Sequence, residues 1–143
     1  ISNAFDVTAA VGMTGEGGLV KKGSGTLTLT GAQTFAGDVV VSNGAFAASS
    51  AFAGGLQAAS GTAIDVADAT FGGDIAIGDG VALMATNGVD WATTRDVLVA
   101  KTTAGVSFPW RQDADGRHLF TKTLGGVTGL YYGKQAGTIL IFK

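Results

Sequence analysis

The sequence predicts an all-β fold, because short apolar alternations and turn residues recur along its 143 residues and no window shows capped helical periodicity. The predicted strands are residues 27–30, 39–41, 64–66, 75–77, 81–83, 97–99, 119–120, 130–132 and 139–142. Asn-Gly and Asp-Gly pairs, which favour tight turns, stand at residues 43–44, 79–80, 87–88 and 115–116. Residues 45–59 are rich in alanine but are interrupted by two glycines, so they predict coil and short strand. Residues 90–94 predict a single helical turn.

Two architectures fit strands of this length and spacing. In an antiparallel β-sandwich, the Asn-Gly and Asp-Gly pairs would be the tips of hairpins. In a parallel β-helix, the same pairs would turn the corners of successive coils. The residues alone therefore leave the two folds open.

The composition bears on this choice, because a β-helix stacks equivalent residues of successive coils about 4.8 Å apart. Like charges stack badly, whereas threonine, glycine and aliphatic residues tolerate identical neighbours. The chain has 14% charged residues and 24 glycines. In a β-helix, Leu27 and Leu29 would face inward, while Thr26, Thr28 and Thr30 would face outward. The expected corners are Gly23, Gly25, Gly31 and Gly37, and the expected inward residues are Leu19, Leu27, Leu29, Val39, Val41, Ile64, Val66, Ile75, Ile77, Val97 and Val99.

Charge and composition also exclude several classes of function. The net charge of -2 provides no basic field for nucleic acid. The absence of cysteine excludes disulfides and thiol chemistry. No apolar run of about 18 residues is present, so no membrane insertion is expected in this segment. The chain begins at Ile1 without a signal-peptide pattern, and we expect further sequence upstream.

The segment GGLVKKGSGTLTLTG at residues 17–31 combines paired glycines, a Leu, a Lys and alternating Thr and Leu. Through this pattern, residues 17–48 resemble the passenger-associated strand repeat of bacterial autotransporters. The matching positions are Gly17, Gly18, Leu19, Lys21, Gly23, Gly25, Thr26, Leu27, Thr28, Leu29, Thr30, Gly31, Thr34, Gly37, Val41 and Gly44. The departures are Gln33, Phe35, Asp38-Val39 and Phe46, where Asn, Tyr, two threonines and Leu are usual.

The resemblance implies a right-handed parallel β-helix, and we expect about six or seven coils of about 20 residues each. Residues 1–102 would form the coils, and residues 103–143 would form the last coil and an irregular cap of the same domain. The N-terminal end would be an open edge or pair with another chain. The family implies secretion or display on a bacterial surface, without enzyme activity or a cofactor. The expected partners are further coils upstream and an outer-membrane barrel downstream in the same polypeptide, with end-to-end self-association as an alternative.

Several motifs suggest chemistry but have a simpler interpretation. The DADGR stretch at residues 113–117 lacks the terminal anchors of an EF-hand loop, so a plain Asp-Gly turn is expected. The GGDIAIGDG stretch at residues 72–80 is not repeated, which favours Asp74 and Asp79 as corner residues. Asp65, Asp68 and Asp74 could line an enzyme face near Arg95 or Lys101, but nothing in their spacing requires it. The single histidine, His118, is expected to be a solvated loop residue.

The candidate ligand-binding residues are the aromatic side chains of the C-terminal region, which are Trp91, Trp110, Tyr131 and Tyr132. They could bind a glycan or host protein, or they could cover the open end of the solenoid, which otherwise invites strand addition. Their position, where the repeat has faded, favours the covering role. The leading function is therefore a structural stalk or display segment. An adhesin that uses the aromatics and a carbohydrate-active β-helix enzyme are the alternatives.

Overall fold

The computed structural model describes residue 1 and residues 4–134, and this part of the chain folds almost entirely into short strands. In chain order they are β1 (Val7–Ala9), β2 (Thr14–Gly15), β3 (Leu19–Lys21), β4 (Thr26–Leu29), β5 (Thr34–Phe35), β6 (Val39–Val41), β7 (Ala45–Ala48), β8 (Ala51–Phe52), β9 (Leu56–Ala58), β10 (Ala63–Asp65), β11 (Thr70–Phe71), β12 (Ile75–Ile77), β13 (Ala82–Leu83), β14 (Asp96–Thr102), β15 (Val106–Ser107), β16 (His118–Leu124) and β17 (Val127–Gly133). A 3-10 helix spans Met84–Thr86. The strand predicted at residues 139–142 lies outside the described residues.

The strands stack into three columns, which form the faces of a parallel β-solenoid. Face A contains β1, β4, β7, β10 and β13, and face B contains β3, β6, β9, β12 and β15. Face C contains the pair β2 and β5 and the stack β8, β11 and β14. Neighbouring strands from β1 to β15 run parallel and in register. This topology confirms the solenoid and excludes the antiparallel sandwich. Residues 45–59, predicted as coil and short strand, supply one strand to each face.

Over the described residues the solenoid makes about four turns instead of the predicted six or seven. The early turns have the expected length, because in-register residues of adjacent turns are 17 to 20 positions apart. The last turn is longer, and Gly105 reaches Asp74 across 31 positions. The chain then leaves the coil path to form a hairpin. A long turn and a hairpin thus take up the residues that would otherwise have built further coils.

Aliphatic and aromatic side chains fill the interior in columns. On face B, Leu19 is paired in register with Val39, and Val39 is paired with Leu56. The predicted inward residues are buried except for Val97, which is half-buried. A register shift between Leu98 and Ala100 interrupts the alternation of β14 near Val97. The interior also contains four phenylalanines that were not predicted to face inward, namely Phe35, Phe46, Phe52 and Phe71.

The corner before face B alternates between glycine and aspartate in successive turns. We call this set the Gly–Asp column, and its members are Gly18, Asp38, Gly55, Asp74 and Gly105. The Asp38 carboxylate accepts a hydrogen bond from Gly55 N at 2.8 Å, and Asp74 accepts one from Gly105 N at 2.9 Å. A Cβ atom at Gly55 would collide with the carbonyl oxygen of Asp74. The column therefore satisfies backbone donors without stacking one carboxylate on another, and it places Asp74 at a corner as predicted.

The corner glycines of the repeat serve two different purposes. Gly23 has a φ of 81°, which a side chain rarely adopts. Gly25, Gly31 and Gly37 do not have positive φ angles, but a Cβ atom on any of them would meet the backbone of the preceding turn. Close packing between turns, more than backbone angle, thus selects these three glycines.

Two buried polar side chains join adjacent turns. Lys21 is 0% exposed, and its Nζ atom donates to the carbonyl oxygens of Lys22 and Gly23 at 2.7 Å and of Asn43 at 3.3 Å. Burial lowers the pKa of Lys21 from its ordinary value. Gln33 accepts a hydrogen bond from Met13 N at 2.9 Å and donates to the carbonyl oxygens of Gly31 and Val11. Lys21, the lysine of the repeat, therefore links two adjacent turns through buried hydrogen bonds.

A regular antiparallel hairpin follows the irregular loop at residues 108–117 and ends the described part of the chain. Strand β17 pairs with β14 and with β16, both antiparallel, so that the hairpin extends the column of face C. Its tip contains Gly125 and Gly126, with φ angles of 61° and 82°. Tyr132 and Leu119 of the hairpin are half-buried against the solenoid core.

Candidate functional site

The candidate aromatic residues separate into two groups on opposite faces of the hairpin. Tyr131 and Tyr132 are adjacent in β17, and successive side chains of a strand point to opposite faces. Tyr132 contacts Trp91 of the long turn, whereas Tyr131 connects through two other rings to Trp110. The four residues do not therefore form one continuous aromatic platform.

The first group centres on Trp91, whose neighbour Tyr132 packs against the solenoid core. The ring centroids of Trp91 and Tyr132 are 6.0 Å apart in an edge-on arrangement. The guanidinium carbon of Arg117 lies 4.3 Å from the Trp91 centroid, which is the geometry of a cation–π contact. Residues 90–94 form a single hydrogen-bonded turn, with Thr94 N donating to the carbonyl of Asp90 at 2.9 Å. This turn presents the indole ring of Trp91.

A hydrogen bond from Tyr132 to Asp113 holds the first group against the loop at residues 109–113. The Tyr132 hydroxyl donates to Oδ2 of Asp113 at 2.6 Å. Burial and this hydrogen bond raise the pKa of Tyr132 to about 12. Burial tends to raise the pKa of Asp113, but hydrogen bonds from Tyr132 and from the backbone N–H groups of Arg117 and Asp115 outweigh it and lower that pKa.

The DADGR stretch forms the plain turn that the sequence predicts. Oδ1 of Asp113 accepts hydrogen bonds from Asp115 N at 2.9 Å and from Arg117 N at 2.8 Å. Gly116 has a φ of 88°, and Arg117 forms an ion pair with Asp115 at 2.9 Å. The turn therefore holds Arg117 beside Trp91 and Asp113 beside Tyr132.

The second group is a row of rings on the outer face of the hairpin. Trp110 is 67% exposed, and its ring lies 4.5 Å from that of His118. Phe120 follows at 5.7 Å from His118, and Tyr131 at 5.8 Å from Phe120. The Lys122 ammonium lies 4.7 Å from the Tyr131 centroid. The prediction for His118 was wrong: it is buried at the start of β16, because the strand places its ring against Trp110 and Phe120.

A cleft of about 280 Å³ lies between the turn at residues 78–81 and the loop at residues 109–113. Its floor is apolar, and its residues include Ile77, Val81 and Leu119. Arg111 at its rim makes two hydrogen bonds to the Asp79 carboxylate, of 2.5 and 2.6 Å. Asp79 thus fixes the C-terminal loop to the solenoid corner.

The acidic residues considered for an enzyme face do not line a common recess. Asp65 and Asp68 border a recess of about 150 Å³ on face A with Thr28 and Thr30, whereas Asp74 belongs to the Gly–Asp column. In the part of the chain that the structure describes, no three His, Cys, Asp or Glu side chains are grouped to hold a metal ion.

Comparison with known proteins identifies the repeat. Neither a curated protein nor a solved structure matches the chain. Among the described residues, no helix is long and apolar enough to cross a membrane. The family model for the passenger-associated-transport-repeat matches residues 19–48, which build β3 to β7. This family implies secretion or surface display. The resemblance seen in the sequence is therefore confirmed: residues 19–48 carry a passenger-associated-transport-repeat, as found in autotransporter passengers.

Proposed function

We propose that this chain is a structural segment of an autotransporter-type passenger, displayed outside a bacterial cell, that acts as a stalk and performs no catalysis. The observation that carries the proposal is the register of the repeat. Residues 19–48 supply consecutive strands to all three faces, and on faces A and B each strand pairs in register with its counterpart in the next turn. Such turns interact mainly with their nearest neighbours, so they can be added to extend a rod.

The N-terminal turn supports a continuation of this rod. Within the described residues, β1, β2 and β3 each pair with a strand on one side only. The other edge of β3 is hydrogen-bonded to Ile1, whose N donates to Val20 O and whose O accepts from Lys22 N, so the open edges are those of β1 and β2. Large apolar side chains are also exposed there, namely Ile1, Phe5, Val7, Val11 and Val20. Unpaired strand edges with exposed apolar residues favour the addition of more strands. We assign this N-terminal edge to further coils of the same polypeptide rather than to end-to-end self-association. An outer-membrane barrel downstream in that polypeptide would anchor the rod.

Whole-cell display of the parent polypeptide tests this function. An epitope inserted after Gly61, in an exposed turn, should be detected by antibody on intact cells and be removed by external protease. In-frame deletion of residues 39–55, which correspond to one turn, should leave display intact because the remaining turns restack. An epitope that is detected only after cell lysis would contradict surface display. A polysaccharide-cleaving activity that requires calcium and is lost in Asp74→Ala would contradict the non-catalytic role.

A second candidate function, adhesion through aromatic side chains, is favoured by the exposure of Trp110. A tryptophan that is 67% exposed at the end of an aromatic row is available to a partner. Loss of binding on a glycan array in Trp110→Ala, with unchanged folding, would support an adhesin. Identical array profiles for the two proteins would reject this site.

A further inference from the structure

A small recess beside Trp91 collects positive charge. We call it the cationic recess, and its lining residues are Trp91, Thr94, Arg95, Arg117 and Lys134. It encloses about 120 Å³, and no carboxylate of the described residues lines it. Three of its five side chains are cations, although the whole chain has only nine Lys and Arg residues and a net charge of -2. The recess therefore concentrates positive potential on an acidic protein.

The recess is built where the solenoid departs from its regular period. Trp91, Thr94 and Arg95 belong to the long last turn, which spans 31 positions instead of 17 to 20. Arg117 directly precedes β16, and Lys134 directly follows β17. In solenoid proteins, insertions within a repeat form loops on one face, which is often the binding face. The topology thus brings three cations together from three separate segments.

The central side chains of the recess are held in place before any ligand arrives. Arg117 lies over the Trp91 ring, and its side chain is only 14% exposed. Tyr132 contacts Trp91 at 6.0 Å and is itself hydrogen-bonded to Asp113. A guanidinium fixed in this way loses little conformational entropy when it forms a hydrogen bond.

The charge of the recess is only partly neutralised within the chain. Arg117 forms an ion pair with Asp115 at 2.9 Å. Arg95 and Lys134 are exposed and take part in none of the ion pairs of residues 4–134. Their charged groups are therefore available to an external anion.

The size and chemistry of the recess select an oxyanion group on a larger ligand. The volume suits one sulfate or carboxylate group rather than a whole sugar ring, and guanidinium groups pair with such oxyanions through parallel hydrogen bonds. The rest of the ligand would extend over the exposed surface of the long turn. A lipid surface fits less well, because the exposed apolar residues Leu124 and Val127 lie at the opposite end of the hairpin from Arg117 and Lys134.

We propose that the cationic recess binds the sulfate or carboxylate groups of an acidic polysaccharide. In this site the Arg117 guanidinium is held in place by Trp91, whose ring forms one wall of the recess. Arg95 and Lys134 supply the two further positive charges that pair with the anion. This role is separate from the structural role of the solenoid, since it uses the long turn and the hairpin ends rather than the stacked turns.

The test measures binding of the purified chain to two immobilised acidic polymers, heparin for sulfate and polygalacturonate for carboxylate, with neutral dextran as the blank. We expect binding to at least one acidic polymer at low salt, weakened by added sodium chloride because the contacts are ionic. The double variant Arg95→Ala/Lys134→Ala should lose at least about tenfold in affinity. Arg117 is left intact, because its contact with Trp91 makes its removal a structural change.

The matched control is Lys22→Ala/Lys101→Ala, which removes the same amount of charge from positions outside the recess. It should bind within about twofold of the unmodified chain, and thermal unfolding should show that both double variants are folded. Absence of binding to both polymers would overturn the proposal. Equal losses in the two double variants would also overturn it, since binding would then follow net charge alone. Binding to anionic phospholipid vesicles that depends on Arg95 and Lys134, without polymer binding, would replace the polysaccharide by a lipid. Whole-cell display is independent of all these outcomes.

Discussion

The ring of Phe52 lies nearly parallel to the ring of Phe71 in the next turn, with 5.0 Å between their centroids and 10° between their planes. Phe35 continues the column on the other side, with its centroid 5.9 Å from that of Phe52. The register pairs Phe71 directly with Phe52, so the side-chain stack follows the backbone ladder. Like residues therefore lie over like residues inside face C, as expected for a solenoid whose turns match in register.

The Phe52 side chain should be among the most stabilising in the fold. Phe52→Ala removes the middle ring of the column and leaves a cavity, so we expect a loss of about 3–5 kcal/mol in the free energy of unfolding. Urea denaturation followed by circular dichroism measures this loss. Leu124→Ala, at a side chain 86% exposed on the hairpin tip, serves as the control and should change stability by less than about 0.5 kcal/mol. Similar effects of the two substitutions would contradict the buried column.

Lys21 should stabilise the corner of the repeat through its hydrogen bonds. Lys21→Met keeps the aliphatic length but leaves three carbonyl oxygens without their shared donor, so we expect a loss of about 2–4 kcal/mol. The neighbouring exposed residue provides the control, since Lys22→Met removes the same charge without affecting those bonds. Chemical denaturation of both variants gives the comparison. Equal stability of Lys21→Met and the unmodified chain would show that the Lys21 hydrogen bonds do not stabilise the fold.

The Gly–Asp column should tolerate neither a side chain at Gly55 nor the loss of the carboxylate at Asp38. Gly55→Ala places a methyl group against the Asp74 carbonyl oxygen, and we expect it to destabilise the fold by about 2 kcal/mol or more. Asp38→Ala removes one hydrogen bond to Gly55 N and should cost about 1 kcal/mol. Gly17→Ala is the control, because a Cβ atom there meets nothing within 4 Å. Thermal melts that rank Gly17→Ala as the most damaging would contradict the packing.

The hydrogen bond between Tyr132 and Asp113 should make stability depend on alkaline pH. Because the pKa of Tyr132 is raised from 10.0 to about 12, the folded chain holds the phenolic proton more tightly than the unfolded chain. The resulting stability is fully present below pH 10 and is lost as the pH rises toward about 12. Phenolate absorbance should show one tyrosine titrating near pH 12, and Tyr132→Phe should remove that step. Persistence of the step in Tyr132→Phe would assign it to Tyr131 and contradict the geometry.

The regular part of this fold could be predicted from the sequence because local pattern and global stacking agree there. In β4, Leu27 and Leu29 alternate with outward threonines, and that alternation alone sets which face is buried. The phenylalanine column was harder to predict, because Phe52 and Phe71 lie in two-residue strands too short to show any period. Phe52 and Phe71 are recognised as core residues only when the turns are stacked, and not from the local sequence.

The C-terminal end could not be predicted in the same way, because its structure depends on distant pairings. Nothing in the alternation of β17 indicates that it pairs antiparallel with β14 rather than starting a new parallel turn. The cationic recess depends on the same pairings, since Arg95 and Arg117 are far apart in the chain. His118 was misplaced for this reason: the adjacent turn predicted a solvated residue, whereas Trp110 and Phe120 cover it.

The most direct test of the solenoid is a pair of engineered disulfides, since the chain contains no cysteine of its own. In the solenoid, Val40 of β6 is in register with Gln57 of β9, and adjacent strands are close enough for a disulfide. In a sandwich with a hairpin turn at Asn43-Gly44, Val40 would lie opposite Ala47 instead. Under mild oxidation, Val40→Cys/Gln57→Cys should form an intramolecular disulfide readily, while Val40→Cys/Ala47→Cys should remain reduced. The reverse result, with the Val40–Ala47 pair cross-linked and the Val40–Gln57 pair reduced, would contradict the stacked turns.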